Sequence, residues 1–138
     1  MKRYIILFNF MLFATLVNAQ QTISTKNDTA TVQYLSEKMI YNDRNPIDLI
    51  SNFKISQKEI TWYSEFPKSK EFKDLEIKGK TVIYTVTQIN IQNKITQYSG
   101  SDGKNKANII LDKNKSLIVI EDLSGSKTKI SFPLKGNK

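Results

Sequence analysis

Thr81 to Ile91, TVIYTVTQINI, reads as one strand that changes phase in its middle. Val82, Tyr84 and Val86 alternate on one face, whereas Ile89 and Ile91 fall in the opposite phase. Side chains in a strand alternate with period two, so a bulge near Thr87-Gln88 is needed to keep both groups on the core.

Downstream of this strand the pattern repeats at short intervals. The loop Gln92-Asn93-Lys94 leads into Ile95 to Tyr98, Ser101-Asp102-Gly103 is a turn signal, and Asn108 to Asp112 is the next strand. Asp112 to Lys115 turns the chain into Leu117 to Asp122, and Ser124-Gly125-Ser126 turns it again. In the last strand Ile130, Phe132 and Leu134 alternate with Lys129, Ser131 and Pro133, and the proline marks a sheet edge or a strand end. Consecutive strands with short loops predict an antiparallel meander. Ile109-Ile110-Leu111 and Leu117 to Ile120 are apolar on both faces, so something must cover the second face. The candidates are a helix, a second sheet, closure into a barrel around a core or ligand, or another subunit.

Upstream, Lys58 to Tyr63 is a strand rich in β-branched and aromatic residues, and Pro67 breaks it. Lys68 to Lys80 is a charged connection with one short element at Leu75 to Lys78. Val32, Leu35, Met39 and Ile40 recur at helical spacing behind Thr31 as a cap, so residues 31–41 read as a helix, with a strand through Leu35, Met39 and Tyr41 as the alternative. Asn45-Pro46 with Asp48, followed by Ile47, Ile50 and Phe53 on one side, predicts a second, two-turn helix. The expected fold is mainly β: an antiparallel meander of about five to seven strands, barrel-like or sandwich, with one or two short N-terminal helices. The alternative is an α+β fold with a helix packed on one sheet face.

The N-terminus carries the three zones of a secretion signal. Lys2 and Arg3 begin it, Tyr4 to Val17 is apolar but for Asn9 and Thr15, and Val17-Asn18-Ala19 offers a cleavage site after Ala19. The apolar run is shorter than the roughly 20 residues of a membrane-spanning helix, so cleavage rather than anchoring is expected; no comparable run follows, so the cleaved chain is not expected to cross a membrane. The expected organisation is residues 1–19 as the signal, 20–30 as a flexible lead-in, 31–134 as one β-rich domain and 135–138 as a frayed tail. Export to the periplasm or beyond follows, and with no cysteine the domain must be held by packing and hydrogen bonds alone.

Charge is uneven along the chain. After cleavage 19 basic residues face 13 acidic ones; residues 94–138 hold nine Lys and four acids, against ten basic and nine acidic residues in 20–93. Arg44 is the single arginine after the signal, so the planar fork that reads phosphates and guanine edges is scarce, and nucleic acid is a poor fit.

Without His or Cys, the usual nucleophile-imidazole arrangements cannot be built, and zinc, copper and haem lose their usual ligands. No catalytic residue, metal or cofactor is therefore assigned, and the protein reads as a non-enzyme. Glu59 and Glu65 around Trp62 meet only the bare two-carboxylate requirement of a glycosidase. Asp112 to Ser116 begins like a calcium loop but has Leu117 where the turn glycine belongs and Leu123 where the closing Glu belongs.

Lys-x-Lys units lie beside three successive turns: Lys104/Lys106, Lys113/Lys115 and Lys127/Lys129. In a meander alternate loops share an end, so Lys104, Lys106, Lys127 and Lys129 are expected to cluster as a site for an anionic partner, with Lys94, Lys113 and Lys115 at the opposite end. Lysines at strand ends also guard sheet edges against aggregation. Trp62, Tyr84 and Tyr98 would line a ligand cavity if the sheet closes. The expected function is a noncatalytic exported binding domain of the bacterial cell envelope, contacting an envelope component, an anionic glycan or a lipid surface. The alternative is a lipocalin-like carrier of a small apolar ligand in a β-barrel cavity.

Overall fold

The computed structural model describes residues 30–68 and 78–136. They form eight strands: β1 (Val32–Tyr41), β2 (Ile47–Ile55), β3 (Glu59–Glu65), β4 (Lys80–Gln92), β5 (Ile95–Ser101), β6 (Lys106–Asp112), β7 (Leu117–Asp122) and β8 (Lys129–Pro133). Each strand pairs antiparallel with the next, and β8 pairs back to β1, closing the sheet into an up-and-down barrel. Closure gives Ile109, Leu111, Ile118 and Ile120 an interior to pack into, while Val119, on the opposite face of β7, is also buried.

The phase change that opened the sequence reading is present. The β4–β5 register shifts between Val86 and Gln88, so Ile89 and Ile91 stand opposite Tyr98 and Thr96 after Val86 has stood opposite Gly100. Gly100 is required at this bulge, because a Cβ there would lie 2.7 Å from the Thr85 carbonyl oxygen. Pro133 is the last residue of β8 and so marks a strand end.

Two expectations are corrected. Residues 31–41 are strand β1, and the helix expected at Pro46 to Phe53 is strand β2; no helix occurs among the described residues. In β1 a register shift between Ser36 and Lys38 changes the inward phase, so Tyr34 and Ser36 face in before it and Met39 after it. Apolar residues on either side of a bulge mimic a spacing of three and four. In β2 the inward set is Leu49, Ser51, Phe53 and Ile55, and the buried serine breaks the apolar alternation that would have marked a strand. These two strands bring the count to eight, above the expected five to seven. The element expected at Leu75 to Lys78 falls almost wholly outside the described residues, as do the signal segment and nearly all of the lead-in.

Phe53, Ile60, Ile109, Ile118 and Phe132 are completely buried. Phe53 stacks on Trp62 with ring centroids 6.0 Å apart, and Phe132 meets the two edge-on at 5.0 and 5.1 Å. Each such side chain contributes about 1.5–3 kcal/mol by leaving water. Residues with the outward phase include Lys54, Glu59, Thr61, Thr81, Thr85, Gln88, Asn90 and Gln97, all fully or partly exposed. The same outer face also carries Leu35, Tyr63 and Ile83.

Candidate binding site at one end of the barrel

Backbone hydrogen bonds tie the loops into two groups. At one end Asn42 N donates to Lys129 O and Leu123 N to Lys106 O, linking the β1–β2, β7–β8 and β5–β6 connections. At the other end Lys113 N donates to Lys94 O and Leu134 N to Ser116 O, linking the β4–β5 turn, the β6–β7 turn and the tail after β8.

Three aspartates form the turns that carry the Lys-x-Lys units. Asp102 Oδ1 accepts from Lys104 N and Asn105 N at 2.9 and 2.7 Å, and Asp112 Oδ1 accepts from Asn114 N and Lys115 N at 3.0 and 3.1 Å. Asp122 Oδ1 accepts from Ser124 N at 2.8 Å, and its second oxygen from Ser126 Oγ. An aspartate that caps its own turn offers the backbone a local alternative to the ladder. The Asp112 carboxylate is thus committed to its hairpin, and no group of three or more metal-ligating side chains occurs among the described residues.

The four lysines expected as an anion site, Lys104, Lys106, Lys127 and Lys129, belong to the loops or strand ends of the first end, but acids are interleaved with them. Lys129 Nζ lies 3.6 Å from Asp43 Oδ1. Asp102 is held below the ordinary carboxylate range first by the Asn105 and Lys104 amides, with Lys104's charge a lesser cause. Asp122 is lowered first by the Ser124 hydroxyl and amide. Lys129 is thus offset by Asp43, and Lys104 lies near enough to Asp102 for its charge to be felt.

The opposite end holds a groove of about 790 Å³. It forms because β8 pairs with β1 only through Ile40 and Tyr41, after which the chain rejoins β1 at a single bridge, Ser36 to Leu134. The Ser36 hydroxyl lies between the carbonyl oxygens of Pro133 and Lys38, at 2.6 and 2.8 Å, and Lys135 N donates to Leu35 O. The tail is therefore a wall of the groove. Tyr34, Leu35, Leu111 and Leu134 give it an apolar side, while Gln33, Asn52, Lys113 and Lys135 give it a polar one. Gln33 Nε2 donates to Asn52 Oδ1 at 3.0 Å, and burial raises the Tyr34 hydroxyl above its ordinary range. Lys135 is paired with Glu37, but Lys113 makes no ion pair with any described residue.

Trp62, Tyr84 and Tyr98, expected around a ligand cavity, all turn inward and pack on the central cluster. Tyr84 is 7% exposed, and burial, then the charges of Asp102 and Asp122, push its hydroxyl up to about 12. Trp62 Nε1 and Ser51 Oγ, on adjacent strands, are buried without a hydrogen-bond partner among the described residues. The sequence reading passed over Tyr34 and Lys135 because it placed the first in a helix and the second in a frayed tail. The alternation of Ile130, Phe132 and Leu134 running past Pro133 was the signal that the tail stays on the sheet. No family model, no curated protein and no solved structure matches this chain.

Proposed function

We propose that the protein is an exported, noncatalytic binding domain that holds a small amphipathic molecule, with an apolar body and an anionic end, in the groove beside the C-terminal tail. The observation that carries this reading is the groove's division into an apolar side, Tyr34, Leu35, Leu111 and Leu134, and a basic side where Lys113 has no ionic partner among the described residues. Its volume lies in the range of small-molecule sites, which are mostly apolar with a few placed polar groups. The barrel interior is occupied by the Phe53, Trp62 and Phe132 rings, so the ligand belongs at the rim.

Calorimetric titration with dodecanoate and with dodecanol tests the reading. Dodecanoate binds more tightly, and Leu134→Asp weakens both by removing apolar wall. Absence of binding by either molecule would sink the groove; equal binding would sink the anionic preference.

A further inference from the structure

We infer that the protein pairs with a second copy of itself through the free edge of β4. Pairing between β3 and β4 ends at Thr85, apart from one hydrogen bond from Val86 N to Lys58 O, whereas pairing between β4 and β5 runs on to Gln92. Residues 87–92 therefore have a strand on one side only among the described residues. A row of unpaired N–H and C=O groups is a template for another strand, and proteins usually guard such edges with charge or proline. This edge has neither: from Thr81 to Asn93 no residue is charged, in a chain that is 25% charged.

The occupant follows from the residues themselves. Gln88-Ile89-Asn90-Ile91-Gln92 reads the same in both directions. An antiparallel pair centred on Asn90 sets Asn90 against Asn90, Ile89 against Ile91 and Gln88 against Gln92, each with its own kind on the same face. That is the self-complementarity a two-fold interface demands, since each contact occurs twice. Two copies pair without like charges meeting, and the isoleucine rows join at the barrel rim. Ile91 is 57% exposed in the single barrel and becomes covered by this pairing. Strand addition of this kind draws affinity from main-chain hydrogen bonds and register from alternate side chains. None of residues 88–92 lines the groove.

The interface is short and the dimer correspondingly weak, so the test is sedimentation velocity from about 10 µM to about 1 mM. The wild-type boundary moves from monomer to dimer across this range. Asn90→Lys sets two cations at the two-fold axis and raises the dissociation constant by about fivefold or more. Mixing Asn90→Lys with Asn90→Glu restores the dimer as a heterodimer, which a folding defect cannot imitate. A wild-type protein that stays monomeric throughout, or a mixture that dimerises no better than either variant alone, overturns the inference.

Discussion

The two ends of the barrel are built from the same turn chemistry yet differ in what their lysines meet. At the end formed by the β1–β2, β5–β6 and β7–β8 connections, Asp43, Asp102 and Asp122 stand among Lys104, Lys106, Lys127 and Lys129. At the groove end the corresponding acid, Asp112, is buried in its own turn with its side chain 11% exposed, and Lys113 projects beside an apolar wall. All three turn aspartates cap their own turns; what differs is that Asp112 is buried, whereas Asp102 is exposed and Asp122 partly exposed beside the lysines.

This contrast can be broken or sharpened by experiment. The largest effect comes from the layer between the ends: Phe132→Ala removes the ring that meets both Phe53 and Trp62 and costs about 3–5 kcal/mol in urea unfolding. A smaller loss is expected from Asp112→Ala, which removes the buried carboxylate that two turn amides donate to, at a cost of about 2 kcal/mol. Asp122→Ala, at the exposed end, lowers the urea midpoint less; the opposite ranking would erase the distinction between the turns. Next, Lys113→Glu with Lys135→Glu weakens dodecanoate binding by about tenfold. Replacing Lys104, Lys106, Lys127 and Lys129 with Gln leaves that titration unchanged.

The smallest effects are in pH dependence. Tyr84's hydroxyl titrates at about 12 in the fold against 10.0 when free, so its contribution is complete below pH 10 and is lost as pH rises toward 12. Tyr84→Phe therefore flattens the fall in urea midpoint over that interval. The lowered carboxylates of Asp102 and Asp122 act in the opposite sense. Their contribution is present above the ordinary carboxylate range, near pH 4, and fades as acid protonates them, so Asp122→Asn reduces stability at pH 7 more than at pH 2.

From Thr81 onward the strand order, turns and β4 bulge were legible because short apolar or alternating runs are bounded there by turns marked by Asn, Asp, Gly or Ser. The N-terminal third was not, because a bulge at Ser36 to Lys38 and the inward serines Ser36 and Ser51 disrupt the only periodicity that distinguishes a strand from a helix. Closure itself was among the sequence's open alternatives, since nothing local in β1 or β8 states that they pair. The groove was illegible for the same reason: its walls come from the first strand and from the tail, about a hundred residues apart. The loop lysines were easy to see, but the carboxylates that would flank them depend on which turns meet.

The narrow seam between β1 and β8 has a consequence for how the molecule is made. A chain synthesised from its N-terminus can zip neighbouring hairpins as they appear, but the first strand waits for the last before either has both neighbours. Until Ile130 and Ser131 arrive, the nascent sheet carries two raw borders, which delays final shape to the end of synthesis.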